Sequence, residues 1–437
     1  MTKLRITTES AYDWMIIAFL SRDTIDKFFQ VVLSRIGLLQ FYGVFSAAVI
    51  FFPVLLVSAL SIRRMKACIP FIALYLILYI IFAINLKLHP EYQQYYTRPT
   101  YGAHQVFFSV SRGAIFGFLA FTLAPRAKHI LSDIHLSAVL LLVYCLFRFY
   151  KASKAGYWEE YNDLGVLVKQ NYNLVFGYKT ILCCIIFLFF FLEKHNILDL
   201  AGAGLSLLME IKAGSRGPLI CLVFFVVLYL FLKATKMKMR YKIMISAVLL
   251  GAYYGVTHYL DKIMAFGISI LQKLHLNSRT VEMLLNGEIT DDHGRAEIAR
   301  LSWDGISRQG FFGMGPFGCR TIIAPYFNYG YPHNIFLEFI LDYGWVFGVL
   351  FLSILVIMIL KVFRKKDKEQ TAVLMILLAM CMKLLISGSY WSEPFFWGIV
   401  GWTGACLWAQ KHRKPDVISD LIRNSAIKVR YEKNYEQ

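Results

Sequence analysis

Along the 437 residues, apolar side chains come in long blocks, and charged ones gather between them. The blocks run near 40–61, 67–86, 103–124, 131–150, 173–192, 196–212, 218–232, 243–259, 334–361, 371–388 and 395–410. Most are about 17–25 residues long, the length at which a helix crosses a bilayer core. The pattern predicts an all-α, polytopic membrane protein with eleven or twelve transmembrane helices. The twelfth would come from residues 11–39 as a broken first crossing. Alternatively, Thr24–Leu39 is an amphipathic helix lying in the interface.

Composition agrees with this. Hydrophobic residues make up 58% of the chain, charged ones 17%, and mean hydropathy is +0.54; soluble domains are nearer half apolar and a quarter charged. The net charge of +18 raises the question of a nucleic-acid partner. Its distribution argues against one, because the basic residues fill short inter-helix segments: RRMK (63–66), PRAKH (125–129), EKH (193–195), KATKMKMRYK (233–242), KVFRKKDKE (361–369) and KHRKP (411–415). Short Lys/Arg-rich loops mark the cytoplasmic side, and there they meet membrane lipids. Seven of the eight cysteines fall in or beside apolar blocks, so no disulfide or metal spacing emerges. Asp13 interrupts the first apolar stretch and no cleavage site follows, which argues against a signal peptide.

Five segments follow. They are an N-terminal segment (1–39), helices with short loops (40–259), a large outside loop with short helices (260–333), C-terminal transmembrane helices (334–410) and a cytoplasmic tail (411–437). The large loop, roughly seventy residues, is too long for a plain connector.

Candidate chemistry lies around that loop. Arg216, in the turn GSRG (214–217), either snorkels to headgroups or joins the two glycines in an anion site, where its guanidinium fork suits phosphate oxygens. Arg112, in a second SRG, falls inside an apolar block and must pair or line a wet cavity; the structural reading is favoured. Arg295 begins a predicted helix, where the dipole disfavours a cation. That implies a partner, either Asp291, Asp292 and Glu297 or an anionic ligand. Gly313, Gly315 and Gly318 match the spacing of a dinucleotide fingerprint, but no strand precedes them and no βαβ unit holds them. They are read as shaping a loop near the membrane surface. In PHN (332–334), Asn334 or His333 can cap the next helix. Asn334, Glu338 and Asp342 share one face of it, and that face must look into the protein. His333 stands at the water boundary as a cap or as a base.

These motifs resemble the O-antigen polymerase and O-antigen ligase superfamily. The resemblance is carried by SRG before an apolar helix, GR-x(7)-W from Arg295 to Trp303, G-x-G-P-x-G, and PHN-x-x-LE-x(5)-G from Pro332 to Gly344. It implies a helical, GT-C-like integral-membrane glycosyltransferase that needs no metal or cofactor. Its donor would be an oligosaccharide on undecaprenyl diphosphate, at the periplasmic face of the bacterial inner membrane. By that resemblance Arg216 and Arg295 hold the diphosphate and His333 is the catalytic base. Asn334, Glu338 and Arg112 support them. A chain-length regulator protein is a further partner consistent with this class.

Direct displacement would invert the anomeric carbon. The leading expectation is an O-antigen polymerase, which moves a growing glycan from its carrier onto a lipid-linked repeat unit. A ligase joining the glycan to lipid A core is the alternative, and the motifs do not separate the two. A transporter would require inverted repeats, which the sequence lacks.

Overall fold

The computed structural model describes residues 8–59, 66–99, 101–161, 167–170, 173–213, 216–234, 294–309, 311–327 and 330–411. In chain order its helices are α1 (Thr8–Leu20), α2 (Arg22–Arg35), α3 (Tyr42–Ala59), α4 (Ile69–Leu88), α5 (Ile115–Leu123), α6 (Ile130–Ala155) and α7 (Leu174–Lys194). Then come α8 (Ile197–Ala213), α9 (Arg216–Ala234), α10 (Arg295–Gln309), α11 (Cys319–Ile323), α12 (Ile335–Arg364), α13 (Lys368–Cys381) and α14 (Pro394–Lys411). The loop between α6 and α7 adds a small antiparallel ribbon, β1 (Trp158–Tyr161) with β2 (Leu167–Gln170).

Among the described residues, six helical stretches are long and apolar enough to cross a membrane: Leu39–Leu56, Lys66–Leu88, Ile130–Ala155, Leu174–Lys194, Gly217–Ala234 and Ile335–Arg364. Helices suit that setting because each satisfies its own backbone polar groups. The chain is an all-α, multi-pass membrane protein.

Of the other five expected spans, 243–259 lies outside the described residues, 395–410 forms helix α14, and three take a different form. Block 103–124 is broken: a π-helical turn at His104–Phe108 ends at Ser109, and the helix resumes only at Ile115. Gly113 allows the break, since a Cβ there would lie 2.3 Å from the Phe107 carbonyl oxygen. Ser111–Arg112–Gly113 therefore sits in a turn and not within a span. The 371–388 block unwinds after Cys381 through a 3-10 turn, and residues 386–393 form a loop instead. Block 196–212 does form a helix, but one with Asp199, Ser206 and Glu210 buried among its neighbours.

The N-terminal helices run beside α6. Asp13 accepts from the backbone N–H of Lys128 and His129 at 2.8 and 3.2 Å, and Ser21 and Thr24 point longer contacts at the carbonyls of Ser137 and Leu140. The partners advance in step, so α1 and α2 follow α6 in the same direction. Ala11, Met15 and Ile16 are fully buried along the way.

Basic residues gather at one end of the bundle. Glu193 and Lys194 of α7, Lys233 of α9, Arg364 of α12 and Lys366 and Lys368 beside α13 surround one cavity. Lys365 donates to the Cys406 carbonyl of α14 at 2.7 Å. Basic residues of α7, α9 and the α12–α13 connection therefore gather at one end, and the PHN segment lies at the other end of α12.

Candidate functional site

The site forms where α12 begins. Asn334 is its N-cap, its side-chain oxygen accepting from Phe336 N at 3.0 Å and Leu337 N at 3.3 Å. That satisfies two donors a helix start leaves open and leaves His333 just outside the helix. His333 adopts a left-handed backbone with φ 55°, and its ring packs against Tyr331 with centroids 4.6 Å apart. A non-glycine residue at positive φ is uncommon and marks a position fixed by its surroundings. Burial, and then the nearby Arg295 guanidinium, bring the imidazole pKa down from 6.5 to about 4. At neutral pH the ring is uncharged and able to accept a proton.

Arg295 reaches this point through α10. The helix packs its Gly305 against Ile322 and Leu341, and Ile306 joins Cys319, Leu337, Ile340 and Leu341 in a small apolar cluster. Arg295 stands exposed at the helix start, next to Gly294, which has φ 80°. Glu297, one of its expected partners, instead binds Arg300 through two contacts of 2.9 and 2.6 Å. The other two, Asp291 and Asp292, lie outside the described residues.

Glu338 and Asp342 face inward, with 0% and 1% exposure. Glu338 accepts hydrogen bonds from Ser389 Oγ and, at 3.2 Å, from Tyr390 N. Asp342 accepts from Tyr390 Oη and Trp391 Nε1, both at 2.7 Å. The polar face thus holds the loop that follows α13 against the start of α12. Lys383 and Glu393 pair at the base of that loop.

Beyond Asp342, α12 kinks at Gly344 (φ 73°, ψ 176°). The kink frees the Leu341 and Asp342 carbonyls from their helical donors, and Met314 N and Gly315 N supply replacements, each at 2.8 Å. Glycine is required at this junction. A Cβ on Gly313 would lie 2.4 Å from Gly344 N, and one on Gly344 would lie 1.8 Å from the Phe311 carbonyl oxygen. The Gly-rich stretch is fixed on its other side too, where Tyr92 Oη donates to the Met314 carbonyl and Tyr96 Oη to the Pro316 carbonyl, both at 3.0 Å.

The other two predicted arginines lie on other elements, Arg216 on α9 and Arg112 in the turn before α5. Arg216 is the first residue of α9, while Gly214 and Ser215 lie outside the described residues. A Cβ on Gly217 would lie 2.7 Å from Tyr178 Oη and 3.5 Å from Ile386 Cδ1. Ile386 begins the loop that Glu338 grips, so one short segment connects the SRG turn to the PHN helix. Arg112 belongs elsewhere: it pairs with Asp26 at 3.8 Å and lies over the Tyr42 ring at 4.7 Å. It holds α2 and α3 to the break before α5. Arg22, Lys179 and Lys383 line a cavity of about 190 Å³ shared with Asp23, Tyr178 and Pro394, and Asp23 pairs with Lys179 at 3.1 Å.

Sequence reasoning missed Arg320. It is only 3% exposed, with its guanidinium 3.4 Å from the Phe317 ring centroid. Among the described residues, its Nε and Nη1 have no hydrogen-bond partner. Gly330 of the PHN loop packs directly on its side chain, where a Cβ would lie 3.1 Å from Arg320 Cγ. The buried carboxyls of Glu338 and Asp342 lie near enough to interact with the Arg320 charge, which reduces the cost of burying it. No three or more His, Cys, Asp or Glu side chains converge as a metal site needs among the described residues.

Comparison with known proteins identifies one stretch. Residues 201–353 match the family model for O-antigen ligase. No curated protein and no solved structure matches the chain. The matched stretch holds the SRG turn, Arg295, the Gly-rich loop, His333 and the kinked start of α12. That match supports the resemblance to the O-antigen polymerase and ligase superfamily, whose members are glycosyltransferase-like membrane enzymes of O-antigen biosynthesis.

Proposed function

We propose that this protein is an O-antigen polymerase of the bacterial inner membrane, working at its periplasmic face. The donor is a growing glycan on undecaprenyl diphosphate, and the acceptor is a lipid-linked repeat unit. The observation that carries this reading is His333, fixed at the mouth of α12 and kept uncharged beside Arg295.

The chemistry follows from that pairing. A sugar hydroxyl is too weakly acidic to ionise at neutral pH, so its proton must leave as its oxygen attacks. The acceptor oxygen bonds to the anomeric carbon of the donor, and the bond from that carbon to the diphosphate breaks with inversion. His333 takes the proton, a general-base contribution of about 10²–10⁴-fold. The electron pair departs on the diphosphate, where Arg295 and Arg216 offset the growing charge. Arg320, under the PHN loop, adds a third cation with donors to spare. Asn334 and Glu338 fix the helix start that carries His333.

Polymerisation needs a lipid diphosphate on both donor and acceptor. Arg295 and Arg320 offer cations near His333, whereas those of the cavity lined by Arg22, Lys179 and Lys383 are paired, with Asp23 and Glu393. The ligase is the second reading, favoured by the description of the family model that matches.

Reconstitution with purified lipid-linked repeat units tests the proposal. A polymerase lengthens the glycan, and a protein that yields none longer than the starting unit is not one. In cells lacking the protein, lipid A core carrying a single repeat indicates lost polymerisation. Core with no repeat indicates a lost ligase.

A further inference from the structure

We propose that the basic end of the bundle holds an anionic membrane phospholipid, in the cavity between the ends of α6, α7, α9, α12 and α13. The cavity measures about 570 Å³, within the range of small-molecule sites. This inference is independent of the reaction assigned at the opposite end.

Its lining divides into two zones. Lys194, Lys233, Arg364, Lys366 and Lys368 supply five positive charges, and Glu193 is the sole carboxylate among the lining residues. Glu193 is already engaged, by Lys233 Nζ at 2.6 Å and Tyr229 Oη at 2.9 Å. Among the described residues the other four cations have no carboxylate partner, and Lys194 lies over the Phe190 ring at 5.1 Å. The walls behind them are apolar, formed by Phe190, Leu232, Phe363 and Met375.

The connection between α12 and α13 shows how the sequence builds this rim. In the run Lys365–Lys366–Asp367–Lys368, each charge has its own task. Lys365 turns away to the Cys406 carbonyl, and Asp367 caps α13 by accepting from Gln370 N at 2.9 Å. Lys366 and Lys368 are left on the cavity. Lys366 takes a left-handed backbone with φ 57° as the residue that terminates α12.

Positive residues at helix ends are expected on the cytoplasmic side, and alone they would attract any anion. The apolar wall selects the lipid. A free phosphate gains nothing from Phe190 or Met375, whereas the first carbons of acyl chains are covered by them while the phosphodiester meets the lysines. Basic pockets between transmembrane helices recognise anionic headgroups in this way.

The test uses the full chain in neutral detergent, with lipid binding followed by native mass spectrometry and by thermal shift. Phosphatidylglycerol or cardiolipin should bind at least tenfold more tightly than phosphatidylcholine. Charge reversal in K366E/K368E should bring that ratio to within twofold. Filling the cavity by Thr371→Trp, with every cation kept, should also abolish the preference. Glu193→Gln should strengthen it. Equal binding of the lipid classes overturns the proposal, and so does a Thr371→Trp protein that still prefers phosphatidylglycerol, since charge alone would then suffice. Equal protection by glycerol 3-phosphate at the same concentration also overturns it, because the acyl chains would contribute nothing.

Discussion

Asp342 Oδ2 accepts a hydrogen bond from Tyr390 Oη at 2.7 Å, across 48 residues of sequence. Trp391 Nε1 reaches the same oxygen at the same distance. This carboxyl therefore fastens the loop after α13 to the short helical stretch between His333 and the Gly344 kink. Tyr390→Phe removes one of the two donors without disturbing the ring, which stacks on Phe339 at 4.2 Å. The lost bond should lower stability by about 1–3 kcal/mol, read as a reduced Tm in detergent. Combined with Asp342→Asn, the loss should be smaller than the sum of the two single effects, because both act on one contact. Strict additivity would show that the bond does not couple the loop to the helix.

Gly344 makes a sharper demand. Its φ of 73° and ψ of 176° lie in a region used almost only by glycine, and a Cβ would collide with backbone and not with a movable side chain. Gly344→Ala should leave little folded protein by size-exclusion chromatography. Gly204→Ala is the matched control: nothing lies within 4 Å of its Cβ position in α8. It should be neutral, or stabilising by up to about 1 kcal/mol.

These contacts show what a sequence can and cannot display. Spacing by four places Asn334, Glu338 and Asp342 on one face, and an apolar setting requires that face to turn inward. Both inferences need only local geometry. The partners Ser389, Tyr390 and Trp391 are about fifty residues away, and nothing local links them to those acids. They also lie in a stretch whose apolar content reads as continuing helix. Block 103–124 is similar, because hydropathy registers its phenylalanines and not the close approach at Gly113. Arg320 was illegible for a different reason. It follows a Gly-rich loop and looks like any charged residue outside a span, and its burial arises only when α10, α12 and the PHN loop close over it. The pairing of Arg112 with Asp26 and Tyr42 joins elements 70 or more residues apart, so only its need for a partner was readable.

Arg320→Gln tests whether its open donors serve the lipid diphosphate. Glutamine keeps hydrogen-bonding capacity and removes the charge. The KM for the lipid-linked donor should rise about tenfold, equivalent to about 1.4 kcal/mol, while kcat changes little. A purely structural arginine would instead lower the amount of folded enzyme and leave the KM of the remainder unchanged. Steady-state kinetics on monodisperse protein distinguishes these outcomes.

His333 makes a prediction in pH. Its imidazole is protonated only below about pH 4 in the free enzyme, and the protonated ring cannot accept the acceptor's proton. The acid limb of kcat/KM should therefore fall near pH 4, not near the ordinary histidine value of 6.5. Bound diphosphate brings negative charge close to the ring and favours its protonated form, so the limb of kcat should lie at higher pH than that of kcat/KM. Arg295→Gln removes one of the two causes of the depression and should move the kcat/KM limb upward towards 6.5. Burial remains, so the shift is partial. His333→Ala should lower kcat by about 10²–10⁴-fold and remove the limb altogether. If the limb persists in His333→Ala, another group is the base, and if Arg295→Gln leaves it in place, the two side chains are not coupled as their positions require.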